Sequence, residues 1–236
     1  MLPLKDNAPT RTFPVVTVGL IVVNVLVFIW EETGRGLNYH VYHWAYYPCA
    51  VEGPCTNFYA QHHHELVETV FSSMFMHGGI VHIGGNMLFL WIFVNNVEDA
   101  LGRVRFLLWY LTAGVAATAL QTWVTLHYGS AADASIPNVG ASGAIAGVLG
   151  AYFLLLPQAS VLTAIFLGFF FIIRPIPAIF FLGIWIGLQA LDGTLSLTTP
   201  QAGGGVAFFA HIGGFAFGNL TVHLVKVRQP LRPRWG

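Results

Sequence analysis

Six long apolar segments constrain the fold of this chain more than any other feature of its sequence. They cover residues 13–30, 80–97, 106–127, 141–156, 176–191 and 206–225. Each is near the ~20 residues that a helix needs to cross a bilayer core, where the backbone must satisfy its own hydrogen bonds. Only 8% of the residues are charged, against roughly 25% in soluble domains. The sequence therefore predicts a single all-α polytopic membrane domain over residues 1–236, a bundle of six transmembrane helices.

The positive charges predict how this bundle is oriented, because Lys and Arg accumulate in the cytoplasmic connections of membrane proteins. With six spans, Arg35 alone falls on one side, and the other nine cations fall opposite: Lys5, Arg11, Arg103, Arg105, Arg174, Lys226, Arg228, Arg232 and Arg234. We therefore expect both termini in the cytoplasm. The expected location is the cell membrane, inner or plasma, with the outer ends of the helices on the extracytoplasmic side.

A further apolar run, residues 161–173, invites a seventh span. A seventh span would move the four carboxy-terminal cations to the other side and remove the charge bias. The run is followed by Arg174-Pro175-Ile176-Pro177, where two prolines disfavour a continuous helix. We interpret it as an interfacial or partly embedded entry to the fifth helix.

Three of the predicted helices carry polar residues at the same depth. Ser142 lies in Gly140-Ala141-Ser142-Gly143 at the start of the fourth helix, His211 lies near the start of the sixth, and His82 and Asn86 lie early in the second. These helices run in the same direction, so one shallow outward-facing site could hold all four residues. A serine hydroxyl needs an adjacent base to become a nucleophile, and imidazole suits that role near neutral pH. Ser142 and His211 are therefore predicted to form a catalytic dyad, since no acid is placed to complete a triad.

The reaction that such a dyad performs creates an oxyanion, which an apolar environment would destabilise severely. His82 and Asn86 are four residues apart and share a helix face. Together with the backbone N–H of Ser142 at a helix amino terminus, they are the predicted oxyanion donors.

Small residues at four-residue spacing predict close contact between the fourth and sixth helices, as in tightly packed membrane helices. The fourth helix carries Gly143, Gly147 and Ala151 after Gly140, and the sixth carries Ala210, Gly214 and Gly218.

At these residues the chain resembles the rhomboid family of intramembrane serine proteases, in its prokaryotic six-span type. The resemblance covers nearly the whole chain and rests on five motifs in order. They are His77, His82 and Asn86 for His-x-x-x-x-His-x-x-x-Asn; Glu98-Asp99-Ala100-Leu101-Gly102-Arg103 for the connection after the second helix; Gly140-Ala141-Ser142-Gly143 for Gly-x-Ser-Gly; Trp185 and Gln189 for Trp-x-x-x-Gln; and Ala210-His211-Ile212-Gly213-Gly214 with Gly218 for Ala-His-x-x-Gly-x-x-x-Gly.

The resemblance implies a serine endopeptidase that cleaves the transmembrane helices of membrane-protein substrates near the outer face. It also implies lateral substrate entry beside Trp185 and Gln189. The glycine run 203–205 is either a candidate cap that moves to admit substrate or only a flexible connector. The chain departs from the family at Ala146, one turn after Ser142, where an aromatic residue often supports the catalytic histidine. Either support for His211 comes from elsewhere, or its ring is held more loosely.

The first outer connection, residues 31–69, is rich in aromatic residues and contains His62-His63-His64. Adjacent histidines are poorly arranged to share one metal ion, and no His-Glu-x-x-His motif is present, so we interpret this segment as a solvated or interfacial loop. A disulfide between Cys49 and Cys55 is compatible with an oxidising compartment, but spacing does not establish it.

Two other functions stay open on the sequence. One is a catalytically silent rhomboid-like protein that binds transmembrane helices, and the other is a metal-dependent hydrolase using His77, His82 and His211. We expect no cofactor and no metal. The expected partners are the lipid bilayer and substrates with a helix-destabilised transmembrane segment; a homo-oligomer is compatible with the sequence, and the net charge of zero gives no reason to expect a nucleic-acid partner.

Overall fold

The computed structural model describes residues 1–168, 170–198 and 206–233, and within them the chain is mostly helical. The α-helices are α1 Val15–Glu31, α2 Leu37–Trp44, α3 Phe58–Gln61, α4 Leu66–Ser72, α5 Ile80–Phe89, α6 Asn95–Leu101, α7 Arg103–Tyr128, α8 Ala131–Ala134, α9 Ser142–Leu155, α10 Ala178–Thr198 and α11 Phe208–Val225. The strands are β1 Leu2–Asp6, β2 Ser160–Leu167 and β3 Phe170–Pro177. A π-helical turn over Leu90–Val94 joins α5 and α6 into one continuous helix.

Four helices in the described part of the chain are long and apolar enough to cross a membrane: Ile80–Leu101, Arg103–Tyr128, Ala178–Leu197 and Phe208–Val225. They overlap four of the six predicted spans, and they make this a multi-pass membrane protein. The segments predicted as the first and fourth spans form shorter apolar helices, Val15–Glu31 and Ser142–Leu155. The predicted fifth span, residues 176–191, is too short, because the helix α10 runs from Ala178 to Thr198.

Helix α9 lies at the centre of the bundle. Its residues 143–152 are all buried, so most of this short helix contacts protein rather than lipid. Leu149 and Tyr152 of α9 belong to a continuous apolar core with Phe93, Trp109 and Phe215 from the surrounding helices. Burial on all sides explains why a helix of only 14 residues can stand among longer spans.

The all-α prediction is wrong between α9 and α10, where the chain forms a β-hairpin. The run interpreted as an entry to the fifth helix is β2 and β3, and β1 adds to β2 to give an antiparallel sheet of order β1-β2-β3. The run is rich in β-branched and aromatic residues, which favour strands, and Gly168 has a φ of +65° at the hairpin turn. Pro175 and Pro177 lie in β3, an edge strand, where a missing N–H is tolerated.

The sheet lies at what we call the inner end of the bundle, where the segments before α1 and after α11 meet. Arg11 forms an ion pair of 2.9 Å with Asp99 and donates to the backbone oxygen of Gln229. Glu98 accepts hydrogen bonds from the backbone N–H groups of Val16 and Thr17 at the start of α1. These contacts fix α1 and the C-terminal segment to α6.

The opposite end, called the outer end, carries the first connection. This connection contains the helices α2 and α3, and a disulfide between Cys49 and Cys55 lies in a small core with Tyr47, Ala60 and Ala134. Two contacts attach this core to the segment before α9, because Tyr46 and Asn138 form a β-bridge and Gly140 N–H donates to Ser73 O at 2.8 Å.

Candidate active site

The centre of the site is a hydrogen-bonded pair at the outer ends of α9 and α11. Ser142 is the first residue of α9, and His211 lies in the first turns of α11. The distance from His211 Nε2 to Ser142 Oγ is 2.8 Å. A hydroxyl at this distance from an imidazole nitrogen can pass its proton to that nitrogen when the oxygen attacks an electrophile.

Glycines bring these two side chains together by letting the backbones of α9 and α11 touch. A Cβ atom added at Gly214 would collide with the carbonyl oxygen of Gly143, and one added at Gly218 would collide with that of Gly147. The added Cβ at Gly147 would lie 2.7 Å from Ala113 Cβ on α7. The same interface also needs Gly150, whose added Cβ would collide with the carbonyl oxygen of Phe215. Gly150 continues the small-residue pattern but lay outside the predicted site.

Gly140 shapes the turn that leads into α9. Its φ of +122° is unfavourable for residues with a side chain. An added Cβ there would also lie 2.8 Å from His82 Nε2. The turn therefore needs glycine for both its conformation and the close approach of the His82 ring to Ser142.

The hydrogen bonds of His82 determine which of its ring nitrogens carries the proton. Gly78 N–H donates to His82 Nδ1 at 3.3 Å. Because a backbone N–H can only donate, a neutral His82 has its lone pair on Nδ1 and its proton on Nε2. The protonated nitrogen therefore faces Gly140 and the start of α9, where it is available as a donor.

Asn86 lies one turn deeper than His82 on α5 and is buried. Its side-chain amide donates to the backbone oxygen of His82 at 2.9 Å. The amide nitrogen has two hydrogens, so this bond occupies one of them.

Trp185 and Gln189, predicted at a lateral entrance, both contact His211. The Gln189 Oε1 atom lies 2.6 Å from His211 Nδ1. The rings of Trp185 and His211 have centroids 5.7 Å apart. The support for His211 that Ala146 cannot give thus comes from α10. The glycine run 203–205, predicted as a cap, lies outside the described residues.

A cavity of about 940 Å³ opens above the serine–histidine pair at the outer end. Its lining includes His82, Ser142 and His211, together with Tyr42 from the first connection. A second cavity of about 40 Å³ lies on the other side of Ser142, against Thr118 and Gln121 of α7. The candidate nucleophile therefore has room for a large ligand on one side and for water-sized molecules on the other.

His77, the first residue of the predicted histidine motif, is buried beside the site. The rings of His77 and His82 meet edge to face, with centroids 5.1 Å apart. The backbone N–H of His77 donates to the buried carboxylate of Glu31. Burial, with a smaller contribution from His82, lowers the pKa of His77 to about 3. A neutral His77 adds no positive charge next to His82.

One residue that positions His211, Gln121, was not predicted from the sequence. Gln121 of α7 accepts a hydrogen bond of 3.1 Å from the backbone N–H of Ala210, the residue before His211. Gln121 belongs to no motif, and an isolated glutamine in an apolar helix shows only that it needs a polar partner.

The described part of the chain contains no cluster of three His, Cys, Asp or Glu side chains that could hold one metal ion.

Comparison with known proteins places these features in one family. A family model described as "Rhomboid domain" matches residues 64–228, a range that contains Ser142, His211, His82 and Asn86. Rhomboid protein 1, mitochondrial, of Saccharomyces cerevisiae is 30% identical over 154 residues, which is 64% of this chain and 40% of that protein. Presenilin-associated rhomboid-like protein, mitochondrial, of Bos taurus is 32% identical over 178 residues, or 72% of this chain and 42% of that protein.

A third relative, presenilin-associated rhomboid-like protein A, mitochondrial, of Danio rerio, is 32% identical over 171 residues, covering 69% of this chain and 40% of that protein. This chain thus spans about two fifths of the length of the curated relatives it matches. Their names refer to mitochondria, so they lend no support to the predicted cell-membrane location. The family match extends over most of the chain and includes every residue of the serine–histidine site; the chain belongs to the rhomboid family.

Proposed function

We propose that this protein is an intramembrane serine endopeptidase that cleaves transmembrane segments of membrane proteins through Ser142 and His211. The observation that carries the proposal is the 2.8 Å contact between Ser142 Oγ and His211 Nε2 beneath an outer cavity of about 940 Å³. Membership of the rhomboid family supports it.

In the proposed reaction Ser142 Oγ attacks the carbonyl carbon of the scissile peptide bond, and its proton passes to His211 Nε2. The tetrahedral intermediate collapses as the C–N bond breaks and the leaving amine takes that proton. Water then attacks the acyl-serine ester, gives a proton to Nε2 and releases the carboxylic acid, while the serine hydroxyl recovers its proton. The small cavity beside Thr118 and Gln121 offers polar surroundings for that water.

The oxyanion of the intermediate needs donors that are already in place. We assign this role to His82 Nε2–H, the side-chain amide of Asn86 and the backbone N–H of Ser142. His82 lines the cavity with Ser142, and its hydrogen bond from Gly78 leaves the Nε2 proton available. Asn86 lies one turn deeper, and it can donate to the oxyanion only through the N–H that is not bonded to the His82 carbonyl.

We propose six membrane-crossing helices, with α1 and the buried α9 joining the four long ones. The inner end then faces the cytoplasm, because it carries the cation-rich segments, including Arg11, which forms an ion pair with Asp99. The disulfide between Cys49 and Cys55 supports placing the outer end in an oxidising compartment.

Substrate helices are proposed to enter beside α10, where Trp185 and Gln189 border the pair. Among the four long helices α10 is the least buried: only 22% of the residues in its apolar stretch are buried by the rest of the protein. A peptide bond in a regular helix is shielded by its own backbone, so cleavable segments are expected to contain helix-destabilising residues near the outer face.

A cross-link between α10 and α11 tests this entrance. An added Cβ at Gly193 would lie 3.3 Å from Phe208 Cβ, near the separation of a disulfide. Oxidising the double variant Gly193→Cys/Phe208→Cys should block cleavage of a transmembrane substrate while a small fluorophosphonate still labels Ser142. Both single variants, oxidised and reduced, serve as controls. Undiminished cleavage by the cross-linked protein would rule out entry beside α10.

The activity itself is tested in proteoliposomes with a fluorogenic transmembrane substrate and a fluorophosphonate. Cleavage and labelling are expected in the wild type and should vanish in Ser142→Ala. Ser196→Ala is the matched control, because the Ser196 hydroxyl donates to the Gly193 carbonyl of its own helix. A folded wild type that neither cleaves nor labels would favour the silent helix-binding function. Chelator-sensitive cleavage that survives in Ser142→Ala would favour a metal-dependent hydrolase.

A further inference from the structure

The ring nitrogen of His211 that does not face Ser142 has its own partner. Gln189 Oε1 lies 2.6 Å from His211 Nδ1, on the side opposite the contact between Nε2 and Ser142. The three side chains come from three different helices: Ser142 from α9, Gln189 from α10 and His211 from α11. They form an unbroken chain of two hydrogen bonds.

The chemistry of an amide oxygen gives this chain a direction. An amide oxygen accepts hydrogen bonds and cannot donate them. A contact through Oε1 therefore requires the proton of neutral His211 on Nδ1, which leaves the lone pair on Nε2 facing the Ser142 hydroxyl. With the opposite tautomer, Nε2 would already carry a proton and could not take the one from serine.

We infer that Gln189 is a positioning residue that holds His211 in the tautomer able to accept the Ser142 proton. The inference rests on the proposed function. In serine proteases with a triad, a buried carboxylate performs this task and also stabilises the imidazolium. Here a neutral amide sets the tautomer without placing a second charge among apolar helices.

The surroundings show why α10 takes this role. Position 146, on the next turn of α9 after Ser142, is an alanine and is too small to hold the imidazole ring. Trp185 and Gln189 are one helical turn apart on α10 and share the face toward α11. The Trp185 ring lies beside that of His211, with centroids 5.7 Å apart and an angle of 37° between the rings, and it also lies beside the Phe215 ring. The ring is thus held by packing, and its proton by the amide.

This arrangement couples the position of α10 to the protonation of His211. If α10 moves away to admit a substrate helix, the contact between Gln189 and His211 breaks and the tautomer is no longer fixed. The base is restored when α10 returns. Proton transfer then follows closure of the entrance.

Substitutions at position 189 test the inference by separating kcat from KM. Gln189→Met keeps the length of the side chain but removes the acceptor, and it should lower kcat about 10- to 100-fold, with KM within about threefold of the wild-type value. Gln189→Glu restores an acceptor and should keep kcat within about threefold of wild type. Leu188→Met is the matched control, since it introduces the same residue at a neighbouring exposed position.

A direct readout of the tautomer does not depend on turnover. Nitrogen-15 chemical shifts of histidine rings distinguish Nδ1–H from Nε2–H, and a spectrum of His211→Ala assigns the resonance. The wild type and Gln189→Glu should show Nδ1–H alone at neutral His211, and Gln189→Met a mixture of tautomers. The spectrum also reports whether the variant is folded.

The outcomes distinguish the two proposals. A wild type that does not cleave, with His211 in the Nδ1–H form, overturns the proposed function and leaves the tautomer assignment in place. A wild type that cleaves, combined with full kcat in Gln189→Met, overturns the positioning role. Nε2–H in the neutral wild type would overturn it as well.

Discussion

The outer and inner ends of α9 and α11 use polar residues in opposite ways. At the outer end, Ser142 and His211 line a large cavity, and His82 presents its Nε2 toward the same place. At the inner end of α9, the hydroxyl of Tyr152 donates to buried Asp6 at 2.6 Å, and on α11 the Thr221 hydroxyl accepts from Trp109 Nε1. The inner groups bond one another across the packed helices, whereas the outer pair, although also hydrogen-bonded, opens to the cavity of about 940 Å³.

This difference separates residues that react from residues that hold the bundle together. A buried polar group with all its partners contributes to stability, and its loss leaves those partners unsatisfied. A polar group facing a cavity contributes less to stability and is available to a ligand. Outer-end substitutions should therefore cost activity more than stability, and inner-end substitutions should do the reverse.

The largest effect is expected where the two ends cannot be separated, at the contact between α9 and α11. Gly214→Ala places a methyl group against the carbonyl oxygen of Gly143 and forces the helices apart. Stability should fall by roughly 1–3 kcal/mol, and because a shift of about 1 Å can cost 100-fold in rate, turnover should fall at least about 100-fold. Thermal unfolding in detergent and the proteoliposome assay measure the two losses.

Gly187→Ala is the matched control for this substitution. An added Cβ at Gly187 meets no atom within 4 Å, so alanine there should lower neither stability nor turnover. Equal behaviour of the two variants would mean that the close approach of α9 and α11 is not needed for function.

An outer-end substitution should affect activity alone. Asn86→Ala removes a proposed oxyanion donor and should lower kcat about 100- to 1000-fold. Its unfolding temperature should change little, because the amide bonds a carbonyl of its own helix and alanine favours helix. Asn24→Ala removes the same kind of local bond, from Asn24 to the Leu20 carbonyl in α1, and Asn24 does not line the cavity. A similar loss of turnover in both variants would exclude Asn86 as a specific donor.

The contrast between the ends also explains what the sequence could predict. The positions of Ser142, His211 and His82 follow from chemistry that needs particular residues at particular depths, and the structure brings these three to one cavity. The contact of Gln189 with His211 was not predicted, because spacing within α10 says nothing about which helix it faces. Whether these residues catalyse a reaction remains a prediction.

The β-sheet at the inner end was not predicted from the sequence. The residues of β2 and β3 are as apolar as a membrane helix, and the charge bias showed only that they do not form a seventh span. Strand pairing depends on partners far apart in the chain, such as Leu2 with Ala164, and no local pattern reveals them. The β-branched and aromatic content and Gly168 were the available signals for a hairpin.

An inner-end substitution should affect stability alone. The Glu98 carboxylate accepts from the Val16 N–H, the Thr17 N–H and the Thr17 hydroxyl. Glu98→Ala leaves these donors at the start of α1 without an acceptor and should lower the free energy of unfolding by roughly 3 kcal/mol. Activity per folded molecule should stay within about twofold of wild type, since less than 0.5 kcal/mol is expected to reach the site. Glu52→Gln, at an exposed position, is the control. Loss of turnover without loss of stability would break the proposed division between the ends.

The smallest effect, counted per pH unit, is a pH dependence of stability to which the inner end contributes through Asp6. Burial raises the pKa of Asp6 from 3.8 to about 6, although hydrogen bonds from Tyr152 and Asn96 oppose the shift. Because the folded state holds this proton more tightly than the unfolded state, Asp6 contributes stability below pH 3.8 that is lost as the pH rises to about 6.

The corresponding slope is at most about 1.4 kcal/mol per pH unit. Asp6→Asn cannot ionise and should remove the Asp6 contribution to the slope, whereas Asp192→Asn, at an exposed position, should leave the slope as in the wild type. Unfolding measured between about pH 4 and pH 6 compares the three proteins, and turnover at neutral pH should be the same in all of them. A slope in Asp6→Asn equal to that of the wild type would show that Asp6 does not contribute, and a change in turnover would show that the inner end acts on the site along α9.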